Sequence, residues 1–186
     1  MRKLIAALNM TLDGFCDHTA AGPDDEIMQH YNDLLASADT LIYGRITYQL
    51  MESYWPTIVK HPTGNKPTDE FAVLIQNISK IVFSRTLKSV EWEHTRLATA
   101  GIEEELLALK QQPGKDILVG SRTLIVSCLN LNIVDEFQIN VHPVILGSGL
   151  PLFNNITNRI NLRLLKTRAF RSGSIVLYYQ PTHHSE

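Results

Sequence analysis

The sequence predicts an α/β fold in which a mostly parallel central sheet is flanked by helices and carries an antiparallel C-terminal edge. Three observations support this prediction. Short apolar runs alternate with amphipathic, helix-length segments over residues 3–129. Beyond them, three strand-like segments follow one another with no helix between them. Hydrophobic residues make up 44% of the 186 residues, which is enough apolar material for the core of one domain.

The first elements are a buried strand, a loop and a helix. The apolar run at residues 3–8 predicts the strand, and the turn-forming pair Asp13-Gly14 places residues 11–22 in a loop. Residues 24–38 have apolar side chains at helical spacing and acidic residues in the first turn, where they suit the positive end of the helix dipole. A short strand at 40–43 and a helix at 45–52 follow.

The middle of the chain repeats this alternation. The segment 55–67 contains three prolines and is predicted to be a loop. Thr68 and Ser121 are each positioned to cap a following helix. The remaining elements are predicted as strands at 80–84 and 116–119 and as helices at 69–76, 102–111 and 121–129.

The last third of the chain predicts the antiparallel edge. Residues 135–142, 161–170 and 174–180 have the pattern of strands, and Arg171-Ser172-Gly173 is a plausible hairpin turn between the last two. Sheets that are parallel with an antiparallel edge are common among α/β enzymes. The whole chain, 1–186, is expected to form a single domain, with a flexible tail at about 181–186.

Composition excludes several functional classes. The formal net charge of −2 argues against nucleic-acid binding, which needs a positive surface to neutralise phosphates. No apolar stretch approaches the length of a membrane span. Cys16 and Cys128 lie outside any metal-binding pattern, so free thiols in a reducing cytoplasm are expected, and no metal site is predicted.

Glycine, hydroxyl and cationic residues recur where predicted strands end. Gly44 and Arg45 end the strand at 40–43, and Thr47 follows in the next helix. In an open α/β sheet, ligands bind beyond the carboxyl ends of the strands, where helix N-termini offer free N–H groups. Glycine permits close backbone approach, and a guanidinium matches phosphate oxygens.

Two more strand ends repeat the pattern. Ser84 and Arg85 follow the strand at 80–84, and the run Gly120-Ser121-Arg122-Thr123 follows the strand at 116–119. Taken alone, Gly44-Arg45 is more typical of a turn glycine beside a solvated arginine, Gly120-Ser121 fits a tight turn with a cap, and Ser84-Arg85 fits a surface segment. Their joint occurrence favours one phosphate-rich cofactor that all three arginines contact. A 2′-phosphorylated adenylyl cofactor would occupy a second basic site. The dinucleotide fingerprint GxGxxG is absent.

These residues resemble those of dihydrofolate-reductase-like proteins. The matching runs span nearly the whole chain, and the chain is most similar to stand-alone relatives of the C-terminal reductase domain of the bifunctional riboflavin-biosynthesis deaminase/reductase. The resemblance implies a dihydrofolate-reductase-like fold. The runs are LIAALNMTLDGF (4–15), LIYGRITYQL (41–50), KIVFSRTL (80–87), ILVGSRTLI (117–125) and DEFQINVHPVILGSGLPLF (135–153).

The resemblance also implies an NADPH cofactor and hydride transfer to a pterin- or pyrimidine-like ring. By position, Gly44, Arg45 and Thr47 would hold cofactor phosphates, and Ser84 and Arg85 would lie at the adenosine 2′-phosphate. Residues 120–124, which are Gly120, Ser121, Arg122, Thr123 and Leu124, would pass under the pyrophosphate and the nicotinamide ribose. The segment 12–14 matches the mobile loop that closes over the nicotinamide.

The catalytic group is where the sequence departs from the resemblance. The family's buried carboxylate aligns near Met28, which cannot replace it, and the neighbouring acids Asp24, Asp25 and Glu26 are ordinary first-turn residues. Asp13 and Glu26 remain the candidate catalytic residues. On the substrate side, the candidates are Asn140 and Gly147, while His142 is expected to satisfy a backbone carbonyl.

Three functional hypotheses follow. The leading one is an NADPH-dependent reductase acting on a small heterocyclic substrate such as the riboflavin precursor 5-amino-6-(5-phosphoribosylamino)uracil. Dihydrofolate reductase activity and a non-catalytic NADP-binding protein are the alternatives. A homodimer that uses the C-terminal strands as its interface is compatible with each of them.

Overall fold

The structure is a computed structural model that describes residues 1–17, 22 and 24–182. Its strands form a single sheet in the order β4-β3-β2-β5-β1-β6-β8-β7. The strands are β1 (Leu4–Thr11), β2 (Ala38–Gly44), β3 (Ser79–Phe83), β4 (Thr95–Leu97), β5 (Asp116–Val119), β6 (Glu136–His142), β7 (Asn161–Ala169) and β8 (Ile175–Thr182).

The sheet is parallel from β4 to β6 and antiparallel at β8 and β7, as the sequence predicts. Helices cover both of its faces, which is the usual arrangement for a parallel sheet. The helices are α1 (Asp25–Ser37), α2 (Arg45–Lys60), α3 (Lys66–Asn77), α4 (Ile102–Gln111) and α5 (Arg122–Asn130).

Each face of the sheet carries its own hydrophobic core. On one face, Leu106 of α4 and Ile125 of α5 are buried against Leu4 and Ile117. On the other face, helices α1, α2 and α3 bury residues such as Leu35, Tyr48 and Ile75 against β1, β2 and β5. The sheet therefore lies between two helical layers, and the carboxyl ends of its parallel strands meet at one edge.

The prediction of a loop over residues 55–67 is wrong. Helix α2 continues to Lys60 with Pro56 inside it, and α3 begins at Lys66. Proline removes one helical hydrogen bond, but the ring of Trp55 lies 4.5 Å from the ring of Phe71 on α3, and Ile58 is buried. Packing between α2 and α3 therefore holds the helix together beyond the proline.

Three smaller differences between the predicted and the observed elements have local causes. Asn65, and not Thr68, caps α3, because the Asn65 side chain accepts a hydrogen bond from the Thr68 N–H. Strand β4 was missed, since three residues are too few to show an alternating pattern. Strand β8 runs to Thr182 and so includes the first residues of the segment 181–186, while 183–186 lie outside the described residues.

Two further observations concern the described residues only. None of their helices has the length and apolarity needed to cross a membrane. In the same part of the chain, no group of three or more His, Cys, Asp or Glu side chains is positioned to hold a metal ion.

Candidate active site

The three predicted strand ends lie side by side. Strands β3, β2 and β5 are neighbours and run parallel, so their carboxyl ends open on the same edge of the sheet. There they line a cavity of about 270 Å³. Its lining residues are Gly44, Arg45, Ile46, Thr47, Phe83, Ser84, Arg85, Thr86, Thr123 and Leu124. We call this space the anion cavity, because two arginines and four hydroxyl side chains line it without a carboxylate.

Two helix N-termini meet the anion cavity, and neither is closed by a side chain. Gly44 precedes α2 and Ser121 precedes α5, and neither side chain caps its helix. By contrast, Asp24 caps α1 and Asn65 caps α3 with side-chain oxygens. The first-turn N–H groups of α2 and α5 therefore remain available to an anionic ligand.

Ser121 has a different role from the predicted helix cap. Its hydroxyl accepts a hydrogen bond from the Gly44 N–H at 2.9 Å, and its side chain is buried. This contact fixes the start of α2 against the start of α5. A Cβ at Gly44 would lie 3.8 Å from Ser121 and Leu124, an ordinary contact distance, so the protein alone does not require glycine there. Gly44 instead leaves room for close approach of a ligand.

Two of the three predicted arginines share the anion cavity. Arg45 and Arg85 are both exposed, and Arg45 donates to Gln49 at 3.1 Å. Arg122 does not line this cavity, because its guanidinium donates to the Pro151 carbonyl at 3.1 Å. The prediction that all three arginines converge on one space is therefore corrected to two.

A second space adjoins the first and is the larger of the two. This cleft has a volume of about 380 Å³ and lies between the ends of β1 and β6, the start of α1 and the loop after β1. Thr47 lines both the cleft and the anion cavity. Gly120 also lines the cleft, with a trans peptide bond to Ser121. One elongated ligand could therefore extend from the anion cavity into the cleft.

Asn9, at the end of β1, organises the polar wall of the cleft. Its Oδ1 accepts hydrogen bonds from the Tyr31 hydroxyl at 3.0 Å and from the Asn140 Nδ2 at 2.9 Å. The His142 Nε2 lies 3.1 Å from the same oxygen and 3.2 Å from the Asn140 Nδ2, and the tautomer of the ring decides which of the two it bonds. Asn9 and Asn140 are register partners on β1 and β6, which brings them together.

Asn140 bonds the Asn9 side chain on the neighbouring strand β1, whereas His142 does not satisfy a backbone carbonyl of the described chain, as the sequence predicts it would. The Asn140 side chain is buried, and its Oδ1 has no partner within the described residues. The His142 ring contacts the Asn9 and Asn140 side chains instead. Burial lowers the pKa of His142, while the nearby Asp24 carboxylate acts in the opposite direction.

The predicted catalytic acids are engaged elsewhere. The Asp13 carboxylate accepts from the Leu146 N–H at 3.0 Å and from the Gly147 N–H at 2.7 Å, so it anchors the loop after β6. The hydrogen bond from the Thr11 hydroxyl, with help from these amides, lowers the pKa of Asp13. Neither Asp13 nor Gly147 is among the residues that line the cleft.

Glu26 points to the C-terminal hairpin. It accepts from the Arg171 N–H at 2.9 Å and does not line the cleft. Asp24 does line the cleft, but its carboxylate caps α1 by accepting from the N–H groups of Glu26 and Ile27. A hydrogen bond with Ser172 is the main cause that lowers the pKa of Asp24. The cleft therefore presents one carboxylate on α1, and that carboxylate favours its ionised form.

Sequence reasoning missed Asn9 and Tyr31. Neither residue is among the site residues that the sequence predicts. A polar amide at the carboxyl end of a buried strand was the available signal, because that is where parallel sheets bind ligands.

Comparison with known proteins shows that the chain matches a protein family. Residues 2–176 match the family described as the RibD C-terminal domain. Two proteins of Bacillus subtilis (strain 168) are similar over nearly their full lengths. The uncharacterized protein YyaP is 38% identical over 96% of this chain and 94% of its own, and the uncharacterized protein YwjB is 30% identical over 96% and 97%.

Solved structures share the fold at low sequence identity. A putative riboflavin biosynthesis protein from Shewanella sp. PV-4 has a TM-score of 0.75 at 18% identity, covering 97% of this chain and 99% of its own. The riboflavin biosynthesis reductase Rib7 of Saccharomyces cerevisiae has a TM-score of 0.63 at 17% identity, covering 97% and 90%. Dihydrofolate reductase from Enterococcus faecalis, solved with NADP(H), has a TM-score of 0.63 at 13% identity, covering 97% and 97%. The fold is therefore dihydrofolate-reductase-like.

Proposed function

Because this chain belongs to the RibD C-terminal domain family, we propose that it is an NADPH-dependent reductase that acts on a flat heterocycle of the pterin or pyrimidine type. Its reaction would resemble that of 5-amino-6-(5-phosphoribosylamino)uracil reductase. The observation that carries this proposal is the pairing of an anion cavity, built from three strand ends, with a cleft that shares Thr47 with it.

The residues of the anion cavity fit a phosphorylated dinucleotide. The uncapped N-termini of α2 and α5 offer backbone N–H donors, and Gly44 leaves space for a pyrophosphate to approach them. Arg45 and Arg85 supply the charge that distinguishes a 2′-phosphate from a hydroxyl.

In this proposal, the cleft orients the substrate. Bound NADPH would provide the hydride, and the chain's own residues would hold the acceptor ring beside it. Asn9, fixed by Tyr31 and Asn140, is the polar group best positioned to orient that ring. The proton that balances the hydride would come from water, or from an acid of the cleft.

Calorimetry with NADPH and NADH tests the cofactor assignment. Arg85→Ala should weaken NADPH binding on the order of tenfold or more and leave NADH binding nearly unchanged, because a charge-assisted hydrogen bond contributes about 1.5–3 kcal/mol. Arg159→Ala, which removes another exposed arginine outside the anion cavity, is the matched control. Equal losses for both cofactors in Arg85→Ala, or no NADPH binding by the unaltered protein, would refute the assignment.

A non-catalytic NADP-binding protein is the second candidate. Two acids at the start of α1 favour it, because both are engaged in structural hydrogen bonds and neither is free to donate a proton to a substrate. Asp24 caps α1, and Glu26 accepts from the Arg171 N–H. Oxidation of NADPH with pterins, folates or the phosphoribosylamino-pyrimidine, followed at the absorbance of reduced nicotinamide, separates the candidates. Tight NADPH binding with no turnover across this panel would favour the second.

We also propose that the protein is a homodimer joined through the C-terminal edge of the sheet. Strand β7 ends the sheet and is exposed along most of its length, with Leu164 52% exposed and Leu165 44% exposed. An edge strand presents unpaired N–H and C=O groups that can pair with another chain, and Leu164 and Leu165 add exposed apolar surface there. Sedimentation velocity should show a dimer that Leu164→Lys dissociates, while Leu107→Lys, on the exposed face of α4, should leave it intact.

The reducing cytoplasm is the proposed compartment. Cys16 and Cys128 are both free thiols in the structure. Free, partly accessible thiols such as Cys16 persist where glutathione keeps them reduced.

A further inference from the structure

An apolar cavity opens from the floor of the cleft. It has a volume of about 140 Å³ and lies between the sheet and helices α1, α2 and α3. Asn9, Tyr31, Met51 and Gly120 line both the cavity and the cleft, so the two spaces are continuous. We call this space the inner pocket.

The walls of the inner pocket are hydrocarbon and aromatic. Leu34 and Leu35 of α1, and Phe71 and Ile75 of α3, are buried side chains that line it. No charged side chain of residues 1–17, 22 or 24–182 is among its lining residues. The charged groups Asp17, Asp24 and Arg122 line only the outer cleft. A ligand group that enters the inner pocket must therefore be uncharged, because an unpaired buried charge is very costly.

Two polar groups at the inner pocket have donor capacity that the protein does not use. The Tyr31 hydroxyl and the Asn140 Nδ2 both donate to the Asn9 Oδ1, which fixes the amide orientation and leaves the Asn9 Nδ2 without a partner in the described chain. Tyr43 is 2% exposed, lines the pocket, and has no hydrogen bond from its hydroxyl to any described residue. Burial alone raises the pKa of Tyr43, so the hydroxyl stays neutral.

Unused donors at a binding pocket call for acceptors on the ligand. Asn9 is an exposed residue, so its Nδ2 meets solvent in the free protein, and a hydrogen bond from it to a ligand contributes about 0.5–1.5 kcal/mol. A ligand carbonyl at the mouth of the pocket would accept from the Asn9 Nδ2. A ring heteroatom further in would accept from the Tyr43 hydroxyl.

We propose that the inner pocket is the substrate-side subsite, and that it takes an uncharged cyclic carbonyl compound carrying an apolar ring fused or attached to the ring that reacts. This inference rests on the proposed reductase function and names its substrate class. It departs from a phosphoribosyl pyrimidine, whose sugar phosphate has no counter-charge in the inner pocket.

The volume of the inner pocket sets the size of the apolar group. An apolar cavity of about 150 Å³ lined by Leu, Ile and Phe is known to bind benzene. The inner pocket, at about 140 Å³ and with similar walls, therefore accommodates one six-membered ring. A larger fused system would need the walls to move, which closely packed interiors resist.

A matched pair of probes tests the subsite by calorimetry, with NADPH present and absent. Quinazolin-4-one and pyrimidin-4-one share the same carbonyl-containing ring, and only the first carries a fused benzene ring. We expect quinazolin-4-one to bind on the order of tenfold more tightly, because its extra ring leaves water for an apolar site. Ribose 5-phosphate should not compete with it.

Ala7→Val tests whether the tighter binding of quinazolin-4-one comes from the inner pocket. Ala7 lines the inner pocket but not the outer cleft, so two added methyl groups should fill the former and spare the latter. We expect this variant to bind the two probes equally and to bind NADPH as the unaltered protein does. Ala108→Val, the same change on the exposed surface of α4, is the control and should keep the tenfold difference.

Different results of these experiments would refute the reductase proposal and the subsite proposal. Failure to bind NADPH would refute the reductase proposal, whichever probe binds better. Equal affinity for the two probes, competition by ribose 5-phosphate, or an undiminished preference in Ala7→Val would refute the subsite. If Ala7→Val does not fold, the probe pair and the competition by ribose 5-phosphate on the unaltered protein still decide the matter.

Discussion

The backbone N–H of Gly44 donates to the hydroxyl of Ser121 at 2.9 Å, although 77 positions separate the two residues in sequence. The bond joins the end of β2 to the end of β5 at the point where α2 and α5 begin. It sets the relative position of two uncapped helix N-termini and therefore the width of the anion cavity between them.

Ser121→Ala should destabilise the protein and weaken cofactor binding together. Removing the acceptor leaves the Gly44 N–H without its partner beside a buried side chain, at a cost of about 1–2 kcal/mol. Urea unfolding should show that loss, and calorimetry should show a higher Kd for NADPH. Ser127→Ala, which removes a hydroxyl that donates to the Thr123 carbonyl within α5, should change the Kd little. An unchanged Kd in Ser121→Ala would mean that this bond does not shape the cavity.

Gly44→Ala should weaken NADPH binding with little loss of stability. A Cβ there makes only ordinary contacts within the protein, and Gly44 has an extended backbone that any residue adopts. We expect a change of at most about 1 kcal/mol in the free energy of unfolding, as for a glycine-to-alanine change at a helix N-cap. The added methyl group should nevertheless obstruct the phosphate and raise the Kd on the order of tenfold.

Gly101→Ala is the matched control for that experiment. Gly101 is the N-cap of α4, also has an extended backbone, and has no atom within 4 Å of an added Cβ. Its replacement should give the same small change in stability and no change in NADPH affinity. If both variants bound NADPH as the unaltered protein does, Gly44 would not approach the cofactor.

Local sequence was sufficient to predict every strand of the sheet except β4, and two of the three strand ends that carry arginines at the anion cavity. Gly44, Arg45, Ser84 and Arg85 follow β-type runs directly, and parallel pairing brings their strand ends together without further information. The continuation of α2 through Pro56 was not predictable in this way. It depends on the contact between Trp55 and Phe71 of another helix, and contacts across the fold override local propensity.

The substrate side was less predictable for a related reason. Asn9, Tyr31 and Asn140 are distant in sequence and acquire their roles only when α1 packs beside β1 and β6. Arg122, in contrast, loses its predicted role through a contact with a distant segment. Its position beside Gly120 resembles a phosphate contact, but the loop carrying Pro151 folds back and takes its guanidinium. Side-chain direction at the end of a strand depends on the loops that return to it.

Asp13→Asn should loosen the loop after β6 without changing cofactor affinity. The Asp13 carboxylate holds the N–H groups of Leu146 and Gly147, and an uncharged amide is a weaker acceptor for both. Hydrogen exchange followed by mass spectrometry should show faster exchange at residues 144–150. Asp33→Asn, on the exposed surface of α1, is the control and should leave that segment unchanged.

The pKa of Asp13 predicts how this effect varies with pH. Its pKa is lowered in the folded protein, so the contact stabilises the loop above the unfolded-state pKa and is lost as pH falls through the folded-state value. Exchange in the segment 144–150 of the unaltered protein should therefore become faster in strong acid. Equal exchange in Asp13→Asn and the unaltered protein at neutral pH would show that the loop is held by other contacts.

His30 should make the protein less stable in mild acid. Its side chain is 5% exposed among the rings of Tyr31, Phe170 and Tyr178. Burial, reinforced by the nearby Arg168, lowers the pKa of His30 to about 4 from 6.5. In the unfolded chain the imidazole takes up its proton near pH 6.5, whereas in the folded protein it does so only near pH 4.

The unfolded state therefore binds more protons in this window, and the free energy of unfolding falls as pH falls from about 7 to about 4. The shift corresponds to a loss on the order of 2–3 kcal/mol. Urea unfolding at a series of pH values should show it. His30→Gln should reduce the pH dependence over that window, even if the variant is less stable throughout, and the buried His142 accounts for part of the slope that remains. His61→Gln, at an exposed position after α2, should keep the full dependence, and an unaltered slope in His30→Gln would assign the pH dependence to other groups.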